Sequence, residues 1–167
     1  MSLGKGLTFD LRGDVDGRSW DFLEAADRRE ALARIREQKP YLVIGSPPCT
    51  SFCSLNERWN YKRMDPEEVR RRRAEGNVLL GFAAQVYREQ LAAGRHFLHE
   101  HPASASSWDD PCIERLLTKP GVGSTVGDQC RFGLQAKGEN GEYRLARKPT
   151  RFMSTAPGVL RALGLRV

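Results

Sequence analysis

Tyr41-Leu42-Val43-Ile44-Gly45-Ser46-Pro47-Pro48-Cys49 (YLVIGSPPC, residues 41–49) is the stretch on which the fold turns. Its first five residues form a short apolar run between Pro40 and the Gly45–Ser46 step, the pattern of a strand buried on both faces of a parallel sheet. The run leads straight into Pro47-Pro48, whose restricted φ angles stiffen the approach to Cys49. A cysteine just past a strand end is open to two readings. It is either an inert, partly buried thiol or a nucleophile whose thiolate is favoured by nearby backbone N–H groups and basic side chains.

Outward from this segment, elements of helical and strand period alternate. Glu24 to Gln38 reads as a helix with Leu32 and Ile35 on one face, stopped by Pro40. A longer helix starts at Asp65, a good N-cap, with Pro66 in the first position and Glu67 and Glu68 at the positive end of the dipole, and it stops at Gly94. Leu79, Phe82, Ala83 and Val86 are its expected core-facing stripe. Arg95 to Glu100 (RHFLHE) reads as a strand, Trp108 to Thr118 as a short helix and Val122 to Phe132 as a strand. Glu139-Asn140-Gly141 reads as a hairpin turn, Thr150 to Ser154 as a last strand and Pro157 to Leu163 as a helix. Near the start, Leu7 to Leu11 (LTFDL) reads as one more strand. The pattern predicts a single α/β domain over residues 1–167, with a Rossmann-like, mostly parallel sheet flanked by helices and an antiparallel C-terminal hairpin. Active residues of such sheets gather beyond the carboxyl ends of the strands, where Cys49 and Glu100 both fall.

The chain has 167 residues, 40% hydrophobic and 29% charged, an ordinary globular composition. No apolar run approaches the roughly 20 residues of a membrane helix, and residues 1–9 lack the apolar core of a secretory signal, so no membrane role and a cytoplasmic location are expected. Four cysteines without such a signal point to free thiols. The net charge of +6 is clustered, with Arg70, Arg71, Arg72 and Arg73 unbroken and Arg58, Lys62 and Arg63 just before them. Two readings stand: a surface for a polyanion such as DNA or another nucleic acid, or a solvated helix face. Between those cations lie Trp59 and Tyr61, a composition suited to phosphate contact with base stacking, or else aromatics tucked into the core. His99 and His101 share a strand face and are able to chelate. No Cys-x-x-Cys pair accompanies them, so no metal is assigned.

Gly45-Ser46-Pro47-Pro48-Cys49 followed by Phe52 resembles the nucleophile loop of cytosine-C5 DNA methyltransferases, Pro-Pro-Cys-Gln-x-Phe-Ser after a buried strand. Thr50 stands in place of the Gln and Cys53 in place of the Ser. Phe97-Leu98-His99-Glu100-His101-Pro102 resembles that family's strand ending in Glu-Asn-Val, with His101 and Pro102 replacing the last two residues. Gly127 to Gly133 (GDQCRFG) is similar to a pattern in methyltransferase-like proteins of phages and mobile elements. The resemblance implies a methyltransferase-type fold with Cys49 adding to C6 of a flipped cytosine and Glu100 assisting at N3. It implies S-adenosylmethionine as cofactor, with Asp10, Ser46 and Pro47 on the cofactor side, and Arg58 to Arg63 closing over DNA. The family's Phe-x-Gly-x-Gly cofactor loop and its target-recognition domain are absent. The expected fold is therefore N-terminally incomplete, with its first strands ahead of Met1 or supplied by a second chain. The alternative is a non-catalytic nucleic-acid-binding domain derived from a methyltransferase.

Overall fold

A computed structural model of the chain describes residues 6–13, 17–138 and 140–167. The chain divides into two compact units, one up to Tyr41 and one from Leu42 onward.

In the first unit α1 (Ala25–Gln38) buries Ala31, Leu32 and Ile35. Phe9 meets Trp20 edge-on at 4.8 Å, and Arg18 lies 3.8 Å above the Trp20 ring while bonding Asp27 at 3.1 Å. The expected strand at Leu7 to Leu11 does not form. Its backbone is drawn into a turn instead, because the Asp10 carbonyl accepts from the N–H groups of Gly13 and Trp20. Alternating apolar residues make a strand only where a partner strand takes up their backbone groups.

The second unit is α/β. β1 (Leu42–Gly45) leads through a short 3-10 turn, Thr50–Phe52, and a π-helical turn, Asn56–Asn60, into α2 (Pro66–Ala92). The α2 start is as expected, with the Asp65 side chain accepting from Glu67 N–H at 2.7 Å. β2 (His96–Pro102) follows, then a 3-10 turn, Ser106–Asp109, and α3 (Pro111–Leu117), capped by Asp110. Next come β3 (Gly123–Asp128), a 3-10 turn at Gln129–Phe132, β4 (Gln135–Lys137), β5 (Tyr143–Leu145), β6 (Pro149–Ser154) and α4 (Pro157–Leu163). The hairpin turn is present between β4 and β5, with Gly141 at φ 83°; Glu139 of that turn lies outside the described residues.

The main sheet has the order β1-β2-β6-β3, and β4-β5 form a separate antiparallel pair. The expectation of a mostly parallel sheet is corrected here. Only β1 and β2 pair in parallel, whereas β6 is antiparallel to both β2 and β3. The chain leaves β3, doubles back through the hairpin, and inserts β6 beside it, which antiparallel neighbours allow without a long crossover.

One face of the sheet carries the core. Phe97 and Met153 pack there against Leu80, Ala84 and Tyr87 of α2 and against Trp108, Ile113 and Leu116. Of the expected α2 stripe, Phe82 and Val86 are buried and Ala83 packs against the core cluster, which Leu80, Ala84 and Tyr87 also line, while Leu79 is only half-buried. On this face Gly45 lies against the Tyr87 hydroxyl, leaving no room for a Cβ. On the other face α4 closes against β3 and β6, with Leu160 touching Gly123.

Candidate functional site

In the parallel register Gly45 pairs with His99, so the residues that follow each of them, Ser46 and Glu100, stand level at the carboxyl ends of β1 and β2. Side chains alternate along a strand, so Glu100 points away from the core while His99 and His101 point into it. Ser46 donates its hydroxyl to Glu100 Oε2. Gln129, arriving from the end of β3, donates its side-chain amide to Glu100 Oε1 at 3.5 Å.

The loop carrying Cys49 is anchored at several points. Phe52 is buried in the core. Ser51 donates to the Arg72 carbonyl at 2.8 Å, where Gly76 lets α2 come close. His101 is wholly buried and bonds the Pro47 carbonyl through Nε2 at 2.8 Å and Ser107 through Nδ1 at 2.6 Å. A carbonyl only accepts, so Nε2 carries the proton and Nδ1 accepts from the Ser107 hydroxyl. Burial depresses the His101 pKa and keeps the ring neutral. Next to it, His99 is bonded to Tyr87 at 3.1 Å, and burial takes its pKa down to about 3. His101 is thus spent on holding the loop, whereas His99 bonds through Nδ1 alone and its buried Nε2 has no hydrogen-bond partner among the described residues. No cluster of three metal-ligating side chains occurs among the described residues.

Cys49 is half-buried at the start of the Thr50–Phe52 turn. Its thiol pKa is raised, chiefly by burial and further by Cys53 and Glu100, while Lys148 lowers it. A thiolate favoured by its surroundings is therefore not what the free protein presents. The turn is too short to offer a helix dipole, and the opposing cation Lys148 is exposed. Ser46 bonded to Glu100 and Pro47 bonded to His101 nevertheless hold the Cys49 loop at the carboxyl end of β2, where Gln129 bonds both Glu100 and the Lys148 carbonyl. Gln129 is not a candidate from the sequence, although it lies within the GDQCRFG segment.

Two of the three residues assigned to the cofactor side have their polar groups bonded within the second unit. The Ser46 hydroxyl is held by Glu100 and the Pro47 carbonyl by His101. Asp10 belongs to the other unit, where its carboxylate accepts from Arg12 N–H at 2.7 Å.

The two groups of cations differ. Along α2, Arg70 pairs with Glu67, Arg71 with Glu68 and Glu75, Arg72 with Glu68, and Arg73 at 4.0 Å with Glu57. The i,i+3 and i,i+4 pairs of Arg70, Arg71 and Arg72 give the run the character of a solvated helix face. Arg58, Lys62 and Arg63 are exposed and have no ion pair among the described residues. Trp59 is 62% exposed beside them rather than tucked into the core, with Leu55 one turn earlier also in solvent. Tyr61 is half-buried, its hydroxyl donating to the Thr50 carbonyl at 3.3 Å. A shallow cavity of about 400 Å³ lies below this turn, where Arg58 and Arg151 face Ser54, Ser104 and Trp108. Cys49 and Glu100 are not in its lining.

No family model, curated protein or solved structure matches this chain.

Proposed function

We propose that the chain is a cytosine-C5 DNA methyltransferase-like domain of Rossmann-like type, in which Cys49 attacks C6 of an extrahelical cytosine and Glu100 serves N3. The observation that carries this reading is the parallel pairing of β1 with β2, which brings a cysteine and a carboxylate to one sheet end within electrostatic reach of each other. Addition at C6 pushes the ring electrons toward N3, and a proton taken up there leaves a nucleophilic C5. The balance closes if the Cys49 thiol proton passes to Glu100 and from Glu100 to N3. The carboxylate thereby offsets the raised thiol pKa at the moment of attack. Ser46 and Gln129 orient Glu100, and His101 holds the loop.

S-adenosylmethionine is the methyl donor that the resemblance implies. The residues present do not fit it, because the polar groups assigned to it are engaged within the protein. No methyl-transfer step is therefore derived, and a second chain or a further segment is proposed to complete that part. The test needs no cofactor, because an adduct at C6 lets C5 exchange its hydrogen with solvent. Mass spectrometry of a cytosine-containing DNA incubated with the protein in D2O should show deuterium at C5, lost in C49S and strongly reduced in E100Q. No exchange above background with the unaltered protein would sink the catalytic reading.

A second reading is favoured by the burial that raises the Cys49 thiol: a non-catalytic nucleic-acid-binding domain. Trp59, exposed among unpaired cations, suits single-stranded or distorted DNA or RNA, where bases stack on aromatic side chains. Binding without C5 exchange would select it.

A further inference from the structure

The β4–β5 hairpin grows out of the end of the sheet where Cys49 and Glu100 lie. Its first leg leaves from Gln129, which donates to Glu100. Its second leg returns at Lys148, whose charge acts on Cys49. The roots are tied together, since the Gln129 N–H donates to the Lys148 carbonyl at 3.1 Å, and Ala146 N–H to the Leu134 carbonyl at 2.9 Å extends the ladder. Above these bonds every residue of both strands is exposed, and the pair joins no other sheet. A lone two-stranded hairpin is marginal in water, so its own interactions do not explain an arm of this kind.

The arm keeps costly surface in solvent. Tyr143 and Leu145, two residues apart and so on one face, are 67% and 64% exposed, and Phe132 at the base is 50% exposed. Aromatic and apolar surface held beside a site marks a contact with a partner. The charge states which kind: from Gln129 to Lys148 the sequence has five basic and two acidic residues. Arg131 and Lys137 are exposed and have no ion pair among the described residues. Cations alternating with exposed rings complement a polyanion that also offers flat faces.

We propose that the hairpin is a nucleic-acid-gripping arm, with Arg131 and Lys137 on phosphates and Tyr143 stacked on a base, holding the strand over the Cys49–Glu100 end of the sheet. The proposal rests on the nucleic-acid reading above. It moves the contact surface away from Arg70–Arg73, whose charge glutamates already answer.

The test is fluorescence anisotropy of a labelled 20-nucleotide single strand and its duplex, titrated with the full chain across a KCl series. R131A/K137A should flatten the slope of log K against log salt by about 1.4 on the single strand and about 1.8 on the duplex. Y143A should weaken binding about tenfold at every salt concentration and leave the slope unchanged. Circular dichroism of each variant should match the parent, because all three side chains stand in solvent. If the unaltered chain binds and the variants bind equally well with equal slopes, the arm proposal is overturned and the nucleic-acid reading stands. If the unaltered chain binds neither DNA, both are overturned. Self-association of the chain that Y143S/L145S abolishes, with DNA binding intact, assigns the arm to a protein contact and overturns the proposal.

Discussion

His101 donates from Nε2 to the Pro47 carbonyl at 2.8 Å, so the strand that carries Glu100 also holds the loop that carries Cys49. The two candidate reactive groups are thereby referenced to one strand, Glu100 through its own backbone and Cys49 through its neighbour's ring. Replacing His101 by Phe keeps an aromatic volume but leaves the Pro47 carbonyl and the Ser107 hydroxyl without this partner. A loss of about 1–3 kcal/mol in unfolding free energy by urea titration is expected. Faster alkylation of Cys49 by iodoacetamide should accompany it, as the loop loosens and the sulfur gains solvent. A variant equally stable and equally slow to alkylate would show that the bond does not position the loop.

The charges around Cys49 have opposite signs and are separable by mutation. E100Q removes a negative charge that raises the thiol pKa, and K148M removes a positive one that lowers it. The pH midpoint of Cys49 alkylation, followed by peptide mass spectrometry, should move down in E100Q and up in K148M. Equal midpoints in all three proteins would place both side chains out of reach of the sulfur.

The buried histidines make the fold acid-sensitive. In the unfolded chain they titrate near 6.5, whereas burial holds His99 at about 3 and also depresses His101. Below 6.5 the unfolded state binds more protons than the folded one. The stability they contribute is therefore complete above that pH and declines as pH falls below it, for His99 over the range from 6.5 toward 3 by up to about 1.4 kcal/mol per unit. Urea midpoints should fall between pH 7 and pH 5, and H99F should flatten that dependence. Ionisable groups elsewhere act alike in the parent and in H99F. A dependence unchanged in H99F would remove His99 as its source.

Two glycines should respond to alanine in opposite directions. At Gly45 a Cβ would overlap the Tyr87 hydroxyl, which is buried and bonded to His99. G45A should cost about 1–3 kcal/mol through overpacking. At Gly81, inside α2, a Cβ meets nothing within 4 Å, so G81A should stabilise by about 0.5–1 kcal/mol through helix propensity. Thermal unfolding of the two variants is the check, and a neutral G45A would mean that Tyr87 is free to shift.

The arginine run should behave as helix surface. Arg71 bridges Glu68 and Glu75, so R71A is expected to lower the thermal unfolding midpoint slightly at low salt and hardly at all at high salt. The salt slope of DNA binding should not change with it. A flatter slope would return the run to the nucleic-acid surface.

Local signals set much of this chain. The apolar run between Pro40 and Gly45 specifies β1, and Asp65-Pro66 specifies where α2 begins, because caps and Pro/Gly punctuation act over a few residues. The Pro-Pro-Cys loop after β1, the strand holding Glu100 and the turn near Gly141 are legible for the same reason. Even the pairing of Arg70, Arg71 and Arg72 is written in the spacing of Glu67, Glu68 and Glu75, although a count of net charge hides it. Other features depend on contacts between segments far apart in the chain. Leu7 to Leu11 has a strand's alternation but pairs with no strand among the described residues. β6 enters the sheet between β2 and β3, which no periodicity encodes. Gln129 reaches Glu100 across 29 residues, and Pro47 reaches His101 across 54. Residue pattern determines which segments become strands and helices and which end of a strand a cysteine follows. Only the packed sheet decides the order of its strands, the half-burial that raises the Cys49 thiol, and the hairpin left standing in solvent, because each of these follows from which distant surfaces exclude water from one another.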